Sequence, residues 1–231
     1  MKLNFLGNGS GFAKTHTGAY FINKNDLIII DCSMLNIHKI LELGIEKFEN
    51  VYLLITHMHD DHVSGLGLFI QYIFYIYKNK LKLFIPTELV EDINLELKIK
   101  GIPDDIYNII NLDKINKFDW FITKIKTSHS PELEGKCFGY KLKIDGKIIV
   151  YSGDTNVLDV YENHLKDCDE FYVDVSALYG KVHLKYENVE EKLLFYIKKY
   201  ELDVYIMHID NEEVLRNIIH NDIKIAEIKQ N

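Results

Sequence analysis

Apolar positions in this chain gather into short continuous runs bounded by turn chemistry, the pattern of strands buried on both faces of a sheet. The clearest is Val51-Tyr52-Leu53-Leu54-Ile55. Residues 2–6 predict a first strand, followed by the glycine-rich turn Gly7-Asn8-Gly9-Ser10-Gly11. Residues 19–22 and 27–30 predict a hairpin across 23–26, where Asn and Asp favour the turn. Further strands are predicted at 81–85, 118–127, 138–144, 147–151, 170–175, 203–207 and 223–228. Asp145-Gly146 joins two of them as a hairpin turn.

Helical spacing fills the intervals. Residues 34–43 predict a helix closing at Gly44, and an apolar helix runs from 64 to about 78. Others are expected at 88–99, 157–165, 187–200 and 211–220. The stretch from 101 to 117 is less regular, with a short helix starting at Pro103, and is read as a lid or specificity region.

Composition sharpens this picture in a few places. A chain of 231 residues, 47% apolar and 12% aromatic, can build one substantial core, and no linker divides it, so one domain over 1–231 is expected. The net charge is −8 with a single arginine, Arg216, which disfavours broad nucleic-acid binding because phosphate contacts need clustered Lys and Arg. Cys32, Cys137 and Cys168 are odd in number and far apart, so no disulfide framework is read and a cytoplasmic setting is expected. No hydrophobic segment of secretory length follows Met1-Lys2, and the longest apolar window, 65–77, is too short to span a bilayer.

The chemistry concentrates where the strand at 51–55 ends, in Thr56-His57-Met58-His59-Asp60-Asp61-His62. In extended chain, His57 and His59 point the same way, and Asp61 and His62 then reach a second nearby point as the chain turns. Two ligand pairs a few ångströms apart suit a two-metal site; a solvated polar loop is the alternative. His129, in Ser128-His129-Ser130-Pro131, is another strand-end histidine and the only third candidate in mid-chain.

The Thr-His-x-His-x-Asp-His string resembles the signature of the metallo-β-lactamase fold superfamily. Leu6-Gly7-Asn8-Gly9-Ser10-Gly11 is similar to the opening segment of its ribonuclease Z-like members, and Ser152-Gly153-Asp154-Thr155 to the family's fourth motif. The resemblance implies an α/β fold, a four-layer αββα sandwich with mixed sheets. It implies two divalent metal ions, zinc foremost with Mn or Fe as alternatives. His57, His59 and His129 would hold one; Asp61, His62 and His208 the other; Asp154 would bridge them, with a hydroxide between the metals as nucleophile. Asp61 would also accept the nucleophile's proton, and Asp31, at a strand end, would orient a ligand from behind. His183, in His183-Leu184-Lys185, matches in part a family His-x-Thr motif whose histidine protonates the leaving group; the Thr is missing, and a surface histidine is the alternative. His16 is read as an exposed loop histidine, with a place in the substrate cleft as the alternative. His38 and His220 are read as surface residues.

Only 24 residues lie between His129 and Asp154, room for the hairpin and little else. Bacterial ribonuclease Z inserts its tRNA-gripping arm there. The expected activity is therefore phosphodiester hydrolysis on a small or cyclic nucleotide-type ester. Lactonase or thioester hydrolysis, or RNA processing of the ribonuclease Z type, are the alternatives. The expected partner is a small-molecule ester or nucleotide, with large nucleic acid less favoured, no membrane, and a homodimer left open.

Overall fold

The computed structural model describes residues 3–114 and 118–229. Among them, two six-stranded sheets face each other. The first runs in the order β1 (Asn4–Gly7), β2 (Gly18–Asn23), β3 (Asp26–Ile30), β4 (Asn50–Leu54), β5 (Leu81–Ile85) and β6 (Tyr107–Asn111). The second contains β7 (Phe121–Thr127), β8 (Cys137–Ile144), β9 (Lys147–Tyr151), β10 (Glu170–Asp174), β11 (Asp203–Met207) and β12 (Ile223–Ile225), also side by side in chain order. Both sheets are mixed. β1–β2–β3 and β7–β8–β9 pair antiparallel, whereas β3 to β6 and β9 to β12 pair parallel.

Six α-helices accompany the sheets among the described residues: α1 (Ile37–Glu42), α2 (Asp60–Val63), α3 (Leu66–Tyr75), α4 (Val90–Ile99), α5 (Tyr186–Tyr200) and α6 (Glu212–Ile218). The continuous apolar runs are explained by the layering. Leu27–Ile30 and Val51–Ile55 are buried throughout. One core cluster joins α1, α3 and α4 to the first sheet and, through Tyr140, Leu142, Tyr151 and Tyr172, to the inner face of the second. A second cluster packs Val189, Leu193 and Tyr196 of α5 and Leu215 of α6 on the outer face through Phe171, Val173, Val204 and Ile206. Alternate residues of β10 thus serve different cores, as the twofold period of a strand requires. The order is helix, sheet, sheet, helix.

Trp120 is buried among Phe21, Tyr52, Phe84, Phe118 and Phe121, with ring centroids 5.0–6.2 Å apart. Truncating such a residue costs about 3–5 kcal/mol. At the β8–β9 turn, Asp145 (φ 52°) and Gly146 (φ 85°) both take positive φ, the type I′ geometry that the pair predicts.

Three expectations change. Within 101–117, read as a lid or specificity region, residues 107–111 instead form the edge strand β6, paired with β5, because Tyr107 and Ile109 complete the first sheet's packing; 115–117 lie outside the described residues. The helix expected at 157–165 is a 3-10 helix over Asp159–His164. The strand read from 118 starts at Phe121, since Trp120 instead turns into the core.

Candidate metal centre

All the predicted ligands leave the C-terminal ends of strands at one rim, where open α/β sheets place their ligands. His57 follows β4, and His59 precedes α2, whose single turn brings Asp61 and His62 back toward the strand end. His129 follows β7, Asp154 follows β9 and His208 follows β11. The Phe138 N–H donates to the Thr56 carbonyl at 3.0 Å, tying the second sheet to the His-rich loop of the first. Gly153, ahead of Asp154, has φ 62°, and a Cβ there would lie 2.5 Å from the Phe138 carbonyl oxygen, so only glycine fits. Asp31 (φ 61°) and His208 (φ 58°) also take left-handed backbone, a cost of about 1–3 kcal/mol concentrated at the rim.

Two sets of donor atoms from the predicted ligands converge, each within 4.8 Å of one another: His57, His59 and His129; and Asp61, His62, Asp154 and His208; a third overlaps the second, joining Asp174 and His183 to Asp154 and His208. His59 Nδ1 lies 3.1 Å from His57 Nε2 and 3.2 Å from His129 Nε2. Two nitrogens on one tetrahedral zinc at the usual bond length sit about 3.3 Å apart, so the spacing is that of chelation. In the second set, His208 Nε2 lies 3.1 Å from Asp61 Oδ2 and from Asp154 Oδ2, and His62 Nε2 lies 3.3 Å from Asp61 Oδ2 and Asp154 Oδ1. Asp154 Oδ2 is also 3.8 Å from His57 Nε2 and 3.7 Å from His129 Nε2. Asp154 therefore stands between the sets.

The rings are held from behind. His62 Nδ1 donates to Asp31 Oδ2 at 2.8 Å, and the same carboxylate accepts the Thr56 N–H and hydroxyl, each at 2.8 Å. His129 Nδ1 donates to the Val182 carbonyl at 2.7 Å. Such contacts choose the tautomer and leave the other ring nitrogen to the site.

Electrostatics separates the two sets. Burial, with help from neighbouring imidazoles, holds His57, His59 and His129 below the ordinary histidine range, the neutral form a metal needs. Burial also pulls on His62 and His208, but Asp154 together with Asp31, Asp61 and Asp174 outweighs it; His62 rises well above its usual value and His208 to about 10. The carboxylates of Asp61 and Asp154 are held ionised by those same imidazoles against burial. His62 Nε2 is buried without a hydrogen-bond partner. Buried carboxylates and an orphaned ring nitrogen facing one point fit a cation in the place of those protons.

The centre opens into a cleft of about 660 Å³ lined by Phe12, His16, Tyr179, Val182 and His183 as well as the cluster itself.

With this geometry in view, the family model for the anti-Pycsar protein Apyc1 matches residues 1–230. The chain belongs to the anti-Pycsar protein Apyc1 family. The Apyc1 protein of Paenibacillus xerothermodurans is 28% identical over 172 residues, 67% of this chain and 66% of that protein. Ribonuclease Z of Listeria monocytogenes serovar 1/2a is 28% identical over 153 residues, 62% of this chain and 49% of that one. The match thus spans just under two thirds of the first relative and about half of the second. Among solved structures, YhfI of Bacillus subtilis superposes with a TM-score of 0.74 at 16% identity, covering 93% of this chain and 90% of that one. The short form of human tRNase Z gives 0.70 at 14%, covering 100% and 98%. A diphosphatase of the PhnP family gives 0.75 at 16%, covering 99% and 95%. The fold of this Apyc1-family chain is therefore the metallo-β-lactamase fold.

In this Apyc1-family chain the cluster is also flanked by an aspartate that sequence reasoning passed over. Asp174, at the end of β10, accepts from His183 Nδ1 at 2.8 Å and from the Thr155 N–H at 2.9 Å, and its Oδ1 lies 3.6 Å from His208 Nδ1. Its signal was legible: like Asp31 and Asp154 it is an aspartate just after a buried apolar run. His183 is not on the open surface, for its ring lies 4.8 Å from those of His129 and His208. His16 departs from its reading as well. It is half-buried against the cleft, because Nε2 reaches the Gly11 carbonyl at 3.2 Å and folds the loop inward. His38 and His220 are exposed.

Proposed function

We propose that the chain is a metal-dependent phosphodiesterase acting on a small or cyclic nucleotide. One observation carries the reading: seven side chains with metal-binding chemistry, from four strand ends, meet with donor spacings suited to chelation. His57, His59 and His129 would hold one cation, Asp61, His62 and His208 the other, with Asp154 available to both. Two divalent ions bound there supply a nucleophile from water near neutral pH and offset charge on the phosphoryl oxygen. Five imidazoles favour zinc, and the carboxylates admit Mn or Fe.

The chain's own groups do the rest. Asp61, at the mouth of the cluster, takes the proton released as water attacks. His183, whose Nδ1 is held by Asp174, presents a proton from Nε2 to the departing oxygen, worth about a hundredfold or more. Asp31 and Thr56 keep His62 in register.

Substrate size follows from the cleft. Its volume suits a small molecule, and no Lys or Arg lines it among the described residues. A polyanion track needs such cations. β8 and β9 occupy the interval between His129 and Asp154, leaving no room for an RNA-gripping arm. Relatives named as an anti-Pycsar protein and as ribonuclease Z support a phosphoester over a lactone. The same reading takes residues 1–231 as one domain, and the free, buried state of the three cysteines supports a reducing compartment. No helix among the described residues is long and apolar enough to cross a membrane.

The test is hydrolysis of cyclic and linear nucleotides, bis(p-nitrophenyl) phosphate and a lactone panel by metal-analysed protein. Cyclic nucleotides should be cleaved, with loss on chelation and return on adding zinc or manganese. Turnover of lactones alone would replace the phosphodiesterase reading.

A further inference from the structure

We propose that Phe12 and Tyr179 form an aromatic subsite that stacks the nucleobase of the substrate, an inference that rests on the nucleotide reading above. Phe12 is fully exposed, at 105% of its reference area, and Tyr179 is 66% exposed. Exposed aromatics scattered singly need no explanation. These two share the wall of the cleft that holds His59, Asp61, His129 and His183.

Neither is on a loose loop. The Ser10 N–H donates to the Ile209 carbonyl at 3.0 Å, the Ala13 N–H to the Ser10 carbonyl at 2.9 Å, and the Thr17 hydroxyl to the Gly9 carbonyl at 3.0 Å. Gly11 is pressed against Asp61, since a Cβ there would lie 3.0 Å from Asp61 Oδ2. The Tyr179 loop hangs on Asp210, which accepts from the Ser176 hydroxyl at 2.6 Å and from the Ala177 and Leu178 N–H groups at 2.7 and 2.9 Å. The Tyr179 N–H in turn donates to Ser176 Oγ at 2.7 Å. The backbone that carries each ring is therefore anchored beside the reacting centre, and the rings stand in water at a hydration cost that a flat apolar ligand removes.

The rest of the wall selects what that ligand is. With no lysine or arginine among the described residues that line it, and with Asp60 and Asp210 in its wall, the cleft suits a group that is planar and uncharged away from the phosphate. Every nucleobase has such a face, and stacking tolerates base identity. His16 Nδ1, buried without a partner in the same wall, is left for a polar edge of the base or the ribose.

The experiment compares metal-loaded wild type, Phe12→Ala, Tyr179→Ala, the aromatic-keeping Phe12→Tyr and, as a control outside the cleft, Phe195→Ala. Two esters are used: adenosine 3′,5′-cyclic monophosphate and the corresponding 3′,5′-cyclic phosphate of 1-deoxyribose, which lacks the base. Calorimetric binding of adenosine 5′-monophosphate is a second readout. Each alanine change in the cleft should raise KM for the base-bearing ester, and weaken nucleotide binding, about tenfold or more. The loss should exceed that on the base-free ester by a similar factor, with Phe12→Tyr restoring most of it. Equal losses on both esters, or changes below twofold in KM and binding, would overturn the subsite while leaving the phosphodiesterase reading intact. Phe12-dependent nucleotide binding without any ester turnover would keep the subsite and remove the phosphodiesterase. Absence of both turnover and binding in wild type would overturn both.

Discussion

In residues 3–114 an antiparallel trio, β1 to β3, leads into parallel β4 to β6; residues 118–229 repeat the plan with β7 to β9 and β10 to β12. Corresponding strand ends carry corresponding roles only in part. β3 ends at Asp31 and β9 runs into Asp154; β1 leads to the Phe12 loop and β7 to His129. The chemistry is divided differently. The first half supplies His57, His59, Asp61 and His62 from one loop after one strand. The second supplies His129, Asp154 and His208 singly, each from its own strand. Four candidate ligands on one loop and the turn of α2 depend on local geometry, whereas three single candidates depend on the second sheet being in register with the first. The Phe138–Thr56 hydrogen bond and the Tyr140 hydroxyl on the Ile55 carbonyl make that connection.

Substitutions can break this division, beginning with the greatest effect. Asp154→Ala should lose metal and turnover together, with kcat/KM falling at least about a thousandfold, because it serves both donor sets. His59→Ala should do the same with one set directly affected. Elemental analysis beside hydrolysis checks this, and full activity in either variant would sink the ligand assignment. His183→Ala should retain both metals and lose about a hundredfold in kcat, more for esters with poor leaving groups than good ones. Equal slowing would remove its acid role.

The two supporting aspartates then sharpen the contrast between halves. Asp31→Asn, behind His62, should weaken metal binding about 10–100-fold by titration against a competing chelator. Asp174→Asn, behind His183 and 3.6 Å from His208 Nδ1, should lower kcat about tenfold, with a smaller loss of metal than Asp31→Asn. A loss of metal in Asp174→Asn as large as in Asp31→Asn would erase the distinction. The smallest effect is on stability. Asn211 caps α6 by accepting from the Val214 N–H at 3.0 Å, so Asn211→Ala should cost about 1 kcal/mol in chemical denaturation, with the metal site unchanged.

Local sequence was sufficient for much of this protein. The strand runs, the Asp145-Gly146 turn and the ligand spacing in 56–62 each depend on periodicity or backbone preference over a few residues, and those act wherever the segment lies. His129 stood out as a strand-end histidine, but the roles of Asp154 and His208 came from family resemblance, since nothing within a few positions of each marks it as a neighbour of the others. The two-sheet repeat left no sequence trace, because topology is conserved by burial and register while side chains are free to differ. Only the folded chain put Asp174 behind His183, turned His16 inward and stood Phe12 and Tyr179 in the cleft. Those placements come from hydrogen bonds between residues as far apart as Ser10 and Ile209, whose energies depend on separations that one-dimensional order does not contain.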